Sequence, residues 1–228
     1  MDVPLFPLPN LVLFPGIIVP LHIFEERYKE MINHCIDAQE SFGLILLREG
    51  AQEETETTIH RAGTMARVIE VERLDAGRMN ILCQGESRFR VQRFISKEAP
   101  YWKGSVNFFD DDPADHSRLR PLHEEVCSAY KKAFELGIQL RAVSSSDLQL
   151  PDSPDELSFM VSYVLDIEPS EKQKLLEMTS TESRLQTLLL RIDEATRKLE
   201  QQLAYKTVSN KVRGNGDLGQ PGKENRRQ

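Results

Sequence analysis

Over the first 110 residues the apolar positions fall in short runs of period two, punctuated by Gly and Pro, which is the spacing of half-buried strands. Met79, Ile81 and Cys83 alternate with Asn80 and Leu82, and Phe89 and Val91 alternate with Arg88, Arg90 and Gln92. Asp75-Ala76-Gly77 separates the runs 64–73 and 78–84, where glycine can take the positive φ of a tight hairpin loop. Two proline-containing extended segments, 3–9 and 11–21, open the chain, and Phe42 to Leu47 reads as a fully buried strand. Between them the period changes. Phe24, Tyr28, Met31 or Ile32, and Cys35 recur every three or four residues, which predicts a helix from Phe24 to Ala38 packed on the sheet.

The acidic turn Asp110-Asp111-Asp112-Pro113 ends the strand-like region, and helical spacing dominates after it. One helix is predicted from His116 to Leu140, followed by a loop-like stretch over 144–153. A second opens at Ser153-Pro154-Asp155-Glu156, a capping-box pattern with Pro at the first helical position. A short helix over 171–178 follows. Thr179-x-x-Glu182 repeats the capping pattern ahead of the longest helix, whose stripe is Leu185, Leu188, Leu189, Ile192, Ala195, Leu199 and Leu203. That stripe either closes a small bundle or pairs with a partner helix in a structural, self-associating role. From Val208 the apolar pattern gives way to Gly, Asn, Pro and charge. The expected organisation is a β-rich subdomain over 1–112, a helical bundle over 113–205 and a disordered basic tail over 206–228, an α+β chain.

Charge narrows the function classes. The 228 residues carry a net charge of -7, with +4 from Lys206 onward and therefore -11 on the body. An acidic body argues against nucleic-acid binding, which rests on neutralising phosphates. Cys35, Cys83 and Cys127 form no CxxC and no disulfide framework, and the apolar run 11–21 is broken by Pro15, Gly16 and Pro20. A cytoplasmic protein with no membrane segment is expected.

Motifs for chemistry are missing. There is no GxxxxGK[ST], no HExxH and no GxSxG, and no histidine pair at the i, i+4 spacing of a helical metal site, so neither cofactor nor metal is expected. His22 and Glu25, with Arg27, cluster where the chain enters the first helix and form the one conceivable site for a small-molecule or metal-dependent hydrolase. The structural alternative is that Glu25 complements the helix dipole while Arg27 pairs with a carboxylate. Phe6, Phe14, Phe24 and Tyr28 are candidate substrate-binding residues if they are exposed, and core residues if they are not.

The run from Pro4 to Gly16, followed by Pro20-Leu21-His22-Ile23-Phe24-Glu25-Glu26-Arg27-Tyr28, resembles the opening of the Lon protease N-terminal, substrate-binding domain family, particularly its stand-alone bacterial members. The resemblance continues through 42–47, 63–68 and 81–91 and into the helical half at 169–177, covering nearly residues 3–205. It implies a β-rich, PUA-like pseudobarrel followed by a helical bundle. It also implies a non-catalytic polypeptide-binding module, an adaptor or holdase in proteolysis or protein quality control. The implied partners are polypeptide substrates or unfolded proteins, and a protease or chaperone. The PUA-like relation raises RNA binding by analogy of fold alone, and the acidic body weighs against it. The sequence stops where the ATPase and protease domains of full-length Lon would begin. Any recognition surface is expected in the β-rich half before Asp110.

Overall fold

The computed structural model describes residues 1–51, 54–95, 99–141 and 148–214, without the side chains of residue 116 and of 207–214. Among them lie six strands, β1 (Asp2–Leu8), β2 (Ile18–Ile23), β3 (Phe42–Leu47), β4 (Ile59–Arg73), β5 (Met79–Ile95) and β6 (Trp102–Phe108). Five α-helices accompany them: α1 (Glu26–Ala38), α2 (His116–Arg141), α3 (Pro154–Val164), α4 (Pro169–Glu177) and α5 (Thr181–Gly214). Strands then helices, with one helix inserted early, is the α+β arrangement that the periodicities predict.

The strands share one mixed sheet in the order β2-β5-β4-β3-β1-β6, and β6 also pairs with β5. The second pairing closes β1, β3, β4, β5 and β6 into a ring. Closure is possible because β5 is 17 residues long and changes neighbours along its length. Met79 to Arg90 pair with β4, and Phe89 to Ile95 pair with β6. Strand β2 lies outside the ring, antiparallel to the first part of β5 from Ile18↔Gln84 to Ile23↔Met79. The hairpin expected at Asp75–Gly77 is present, with Leu74 N–H donating to Arg78 O at 2.8 Å and positive φ at both Ala76 (57°) and Gly77 (69°).

Three cores hold the molecule. Inside the ring, Val3, Leu5, Ile45, Ile59, Met65, Val91 and Val106 surround Phe89. The ring closes on Phe89 because two facing strands lack side chains there: a Cβ at Gly43 would lie 2.7 Å from the Phe89 ring, and one at Gly63 would lie 2.4 Å from the Leu44 carbonyl oxygen. On one face of the sheet, α1 buries Tyr28, Met31, Ile32 and Cys35 against Phe6, Val19, Ile23, Ile81 and Cys83. The third core is helical. Val126, Leu157, Val161, Leu175, Leu185, Leu188 and Ile192 pack together, and Val12, Phe14 and Leu46 reach into them from the β-rich half. The apolar stripe of α5 thus packs within the chain.

Two termini differ in detail from their sequence patterns. Ser153 makes no side-chain cap to the backbone of α3; its hydroxyl donates instead to the Asp155 carboxylate. At α5 the cap is Ser180, whose Oγ accepts from Ser183 N–H at 3.1 Å, one residue later than the Thr179 pattern indicates. Thr179 instead donates to Asp112. The last helix also runs to Gly214, past the Lys206 at which the sequence reading starts a disordered tail. Lys206 Nζ donates to Leu140 O at 2.6 Å, satisfying a carbonyl at the end of α2 and tying the two helices together there. Residues 144–147 of the expected loop and 215–228 of the expected tail lie outside the described residues.

Candidate functional site

Among the described residues, a dense polar network joins the linker between the halves to both of them. Asp111 accepts from Arg88 Nη2 at 2.5 Å, from Arg184 Nη1 at 3.1 Å and Nη2, and from Thr181 Oγ1 at 2.6 Å. Arg88 Nη1 also donates to Leu176 O at 2.9 Å and Met178 O at 2.6 Å, and Arg184 Nε to Ser158 Oγ at 2.7 Å. Both guanidinium groups lie over Phe159, with Cζ 5.2 Å (Arg88) and 4.1 Å (Arg184) from the ring centroid. Arg184 is fully buried and Arg88 nearly so. Burial alone would raise the Asp111 pKa, but hydrogen bonds from Arg184 and Thr181 and the two positive charges outweigh it and hold the carboxyl below its ordinary range. Both carboxylate oxygens of Asp111 and the hydroxyl of Thr181 are thus held in hydrogen bonds.

The paired residues at the entry to α1 separate. His22 Nδ1 lies 2.7 Å from Asn80 Oδ1, and Asn80 in turn donates to Glu72 at 2.8 Å. Glu25 instead accepts from Arg27 Nε at 2.9 Å. Arg27 forks onto Glu54 at 2.8 and 2.7 Å, and the Tyr28 hydroxyl donates to the same carboxylate at 2.9 Å. These bonds fasten Glu54, in the connection between β3 and β4, to the first turn of α1. His22 and Glu25 therefore serve different networks, and nothing joins them into an acid–base pair. No cluster of three or more His, Cys, Asp or Glu suited to a metal occurs among the described residues. Cys35 and Cys83 sit in the core, where burial pushes their thiols up to about 11 and about 12, far from reactive thiolates.

The four aromatic candidates divide three to one. Phe6, Phe14 and Tyr28 are buried: Phe6 packs on Tyr28 with ring centroids 4.1 Å apart, and Phe14 meets Phe159 at 6.1 Å between the two halves. Phe24 is 59% exposed and stacks on His22 at 5.9 Å. Its position follows from strand alternation. In β2, Val19 and Ile23 point to α1, so Ile18, Pro20 and His22 point away from it, and Phe24 follows at the next exposed position.

Register extends that row across the sheet. Ile18 stands beside Gln84 and Arg67, Pro20 beside Leu82 and Glu70, and His22 beside Asn80 and Glu72. Ile69, in the bulge of β4 between Val68 and Glu70, is exposed as well. Strands β2, β5 and β4 thus present an outer face on the side away from α1. Ile18, Pro20, Leu82 and Ile69 cross it as an apolar ridge, and the His22–Asn80–Glu72 and Arg67–Gln84 hydrogen bonds flank the ridge. At the margin of this face a groove of about 520 Å³ runs between Arg67–Val71 of β4 and the C-terminal end of α1. Composition and spacing had singled out Phe24 but not Ile18 or Ile69. For Ile18 the signal available was the inward alternation of Val19 and Ile23, whereas Ile69 lies in a bulge that alternation does not mark.

The comparisons with known proteins agree on one family. The model of the ATP-dependent protease La (LON) substrate-binding domain matches residues 2–194. The Lon protease of Flavobacterium johnsoniae is 26% identical over 214 residues, covering 88% of this chain and 25% of that protein. That of Methylocella silvestris is 28% identical over 184 residues, covering 78% and 22%. The chain therefore spans about a quarter of the length of these curated relatives. Among solved structures, a Lon N-terminal domain protein from Xanthomonas campestris superposes with a TM-score of 0.59 at 24% identity, covering 83% of this chain and 98% of that one. The N-terminal domain of a Mycobacterium avium complex Lon protease gives 0.61 at 18% identity, covering 85% and 98%. With the family model spanning the ring, α1 and most of the helical half, this chain belongs to the family of Lon substrate-binding domains.

Proposed function

We propose that the chain is a non-catalytic module that captures unfolded or exposed apolar polypeptide segments on the outer face of β2, β5 and β4. The observation that carries this reading is the ridge of exposed Ile18, Pro20 and Ile69 with half-buried Leu82, and exposed Phe24 beyond the His22 row, on a chain rich in charge. Exposed apolar residues grouped on one face mark an interaction surface, whereas scattered ones do not. Phe24 is the anchor. Phe6 and Tyr28 act through packing, by holding the helix and sheet that present the face. The family's substrate-binding role supports the same reading. An adaptor or holdase, handing bound segments to a protease or chaperone in a reducing cytoplasm, is the cellular form we favour, where all three cysteines stay free.

The test is fluorescence anisotropy of a fluorescein-labelled, permanently unfolded protein such as reduced, carboxymethylated α-lactalbumin. Saturable binding with a Kd on the order of tens of micromolar is expected. Phe24→Ala is expected to weaken it roughly tenfold, since truncating an aromatic interface anchor costs about 1–2 kcal/mol. Absence of saturable binding by the parent protein overturns the reading.

A further inference from the structure

Strand β4 outruns its neighbour on one side. Strand β3 pairs with it only as far as Phe42↔Ala66, while β5 stays paired on the other side through Arg73↔Met79. From Arg67 to Arg73, one edge of β4 therefore has no strand beside it among the described residues, although the strand remains extended. Unpaired backbone groups on a sheet edge are a template for another extended chain. The groove described above runs along this edge, closed on its far side by the C-terminal end of α1. Its floor includes the half-buried Ile36, Val68 and Val71. Of the charged groups lining it, Arg67 is paired with Glu86 at 2.9 Å, which leaves Glu40 and Glu70 to set an acidic rim.

From this geometry we infer that the edge Arg67–Val71 accepts an extended polypeptide segment as an added strand. The segment alternates aliphatic side chains toward Ile36, Val68 and Val71 with at least one Lys or Arg toward Glu40 and Glu70. The inference rests on the polypeptide-binding reading and adds to it a mode of recognition, an orientation and a sequence preference. Backbone hydrogen bonds to the edge supply affinity that does not depend on sequence, as a receptor for many unfolded chains requires, and the floor and rim supply the preference. Five edge residues accommodate a segment about 17 Å long at the rise of a β-strand. Two such edges pairing antiparallel about Glu70 would set Glu70 against Glu70, a like-charge contact that destabilises a ladder, so a second copy of this chain is disfavoured in that register.

The probe is a fluorescein-labelled eight-residue peptide alternating valine with threonine and carrying one central lysine. It is compared with two isomers, each N-methylated on one of the two alternate sets of amides. A strand adding to an edge uses only one set, so one isomer is expected to lose at least about tenfold in affinity while the other binds as the parent does. Glu70→Lys is expected to weaken the lysine peptide about fivefold and to strengthen its glutamate counterpart. Hydrogen exchange at 67–71 is expected to slow when the peptide is bound. If the two isomers behave alike, or if the unfolded protein binds and this peptide does not, strand addition is overturned while the polypeptide-binding reading stands. If neither the peptide nor the unfolded protein binds, both fall.

Discussion

Asp111 is one carboxylate serving two buried guanidinium groups, and its removal takes the carboxylate that is ion-paired with both away from the junction of strands and helices. Breaking a buried ion network from one side costs about 3–5 kcal/mol, so Asp111→Ala is expected to lower the thermal midpoint far more than alanine at an exposed acid such as Glu182. The pH dependence has a definite sign. The folded carboxyl is held below the value of about 3.9 that it has in an unfolded chain. It therefore contributes its full stabilisation above the unfolded pKa and loses it as pH falls through the folded one. Wild-type thermal midpoints should drop steeply below about pH 4, and Asp111→Asn should start lower at neutral pH and drop less. A mutant with the wild-type acid limb would show that Asp111 is not the responsible group. Half of this network was legible in the sequence. Arg184, Leu188 and Ile192 fall at intervals of four, so Arg184 lies on the apolar stripe of α5, where a charge demands a buried partner. The partner, 73 residues away in a turn rich in Asp, left no periodic trace. Arg88 was misleading in the opposite sense. Its alternation with Phe89 marks it as the wet side of a strand, yet it is buried because the helical half covers that side.

At the level of elements, the strand periods, the hairpin and α1 were all legible, since each buries a regular face. The closure of the sheet was not. It depends on β5 pairing with β2 and β4 first and with β6 later, a change of neighbour that no spacing within one strand encodes. Closure does leave chemical marks, and Gly63 is the clearest. Its missing side chain lets the Leu44 carbonyl and the Phe89 ring approach from two sides. Because one of the two is backbone, Gly63→Ala cannot be absorbed by a rotamer change and should cost about 2–3 kcal/mol, near the upper end for overpacking. Urea denaturation checks the value. A cost below about 0.5 kcal/mol would mean that β3 and β4 separate easily and that the ring is looser than its register implies. The same kind of shortfall governed the candidate site. Periodicity tells which residues share a face but not whether another element covers that face, so Phe14 and Phe24 looked alike in sequence, although one reaches into the helical core and the other faces solvent.

At the scale of the molecule the two halves are joined by more than a linker. Val12, Phe14 and Leu46 of the strand half complete the helical core, Gln173 Nε2 of α4 donates to Ala62 O at 3.0 Å, and Asp111 bridges Arg88 to Arg184. Separating the halves would expose apolar surface on both and break the bridge that Asp111 makes between Arg88 and Arg184. Partial unfolding is thus more costly than its area suggests, and the chain is expected to unfold in one cooperative step. Trp102 makes the test direct. It is the single tryptophan of the chain, and it packs edge-on against Phe94 with centroids 5.6 Å apart, so its fluorescence reports the strand half. Far-UV circular dichroism is dominated by α2 to α5 and reports the helices. In urea the two signals should give the same midpoint and the same slope, since the slope follows the surface exposed. Arg184→Met, which replaces the charge by an apolar chain of comparable length, leaves Asp111 its bond to Arg88 and should shift both signals together. If fluorescence and dichroism part, in the wild type or in this variant, the halves are independent folding units and the Asp111 network tethers them without making them one.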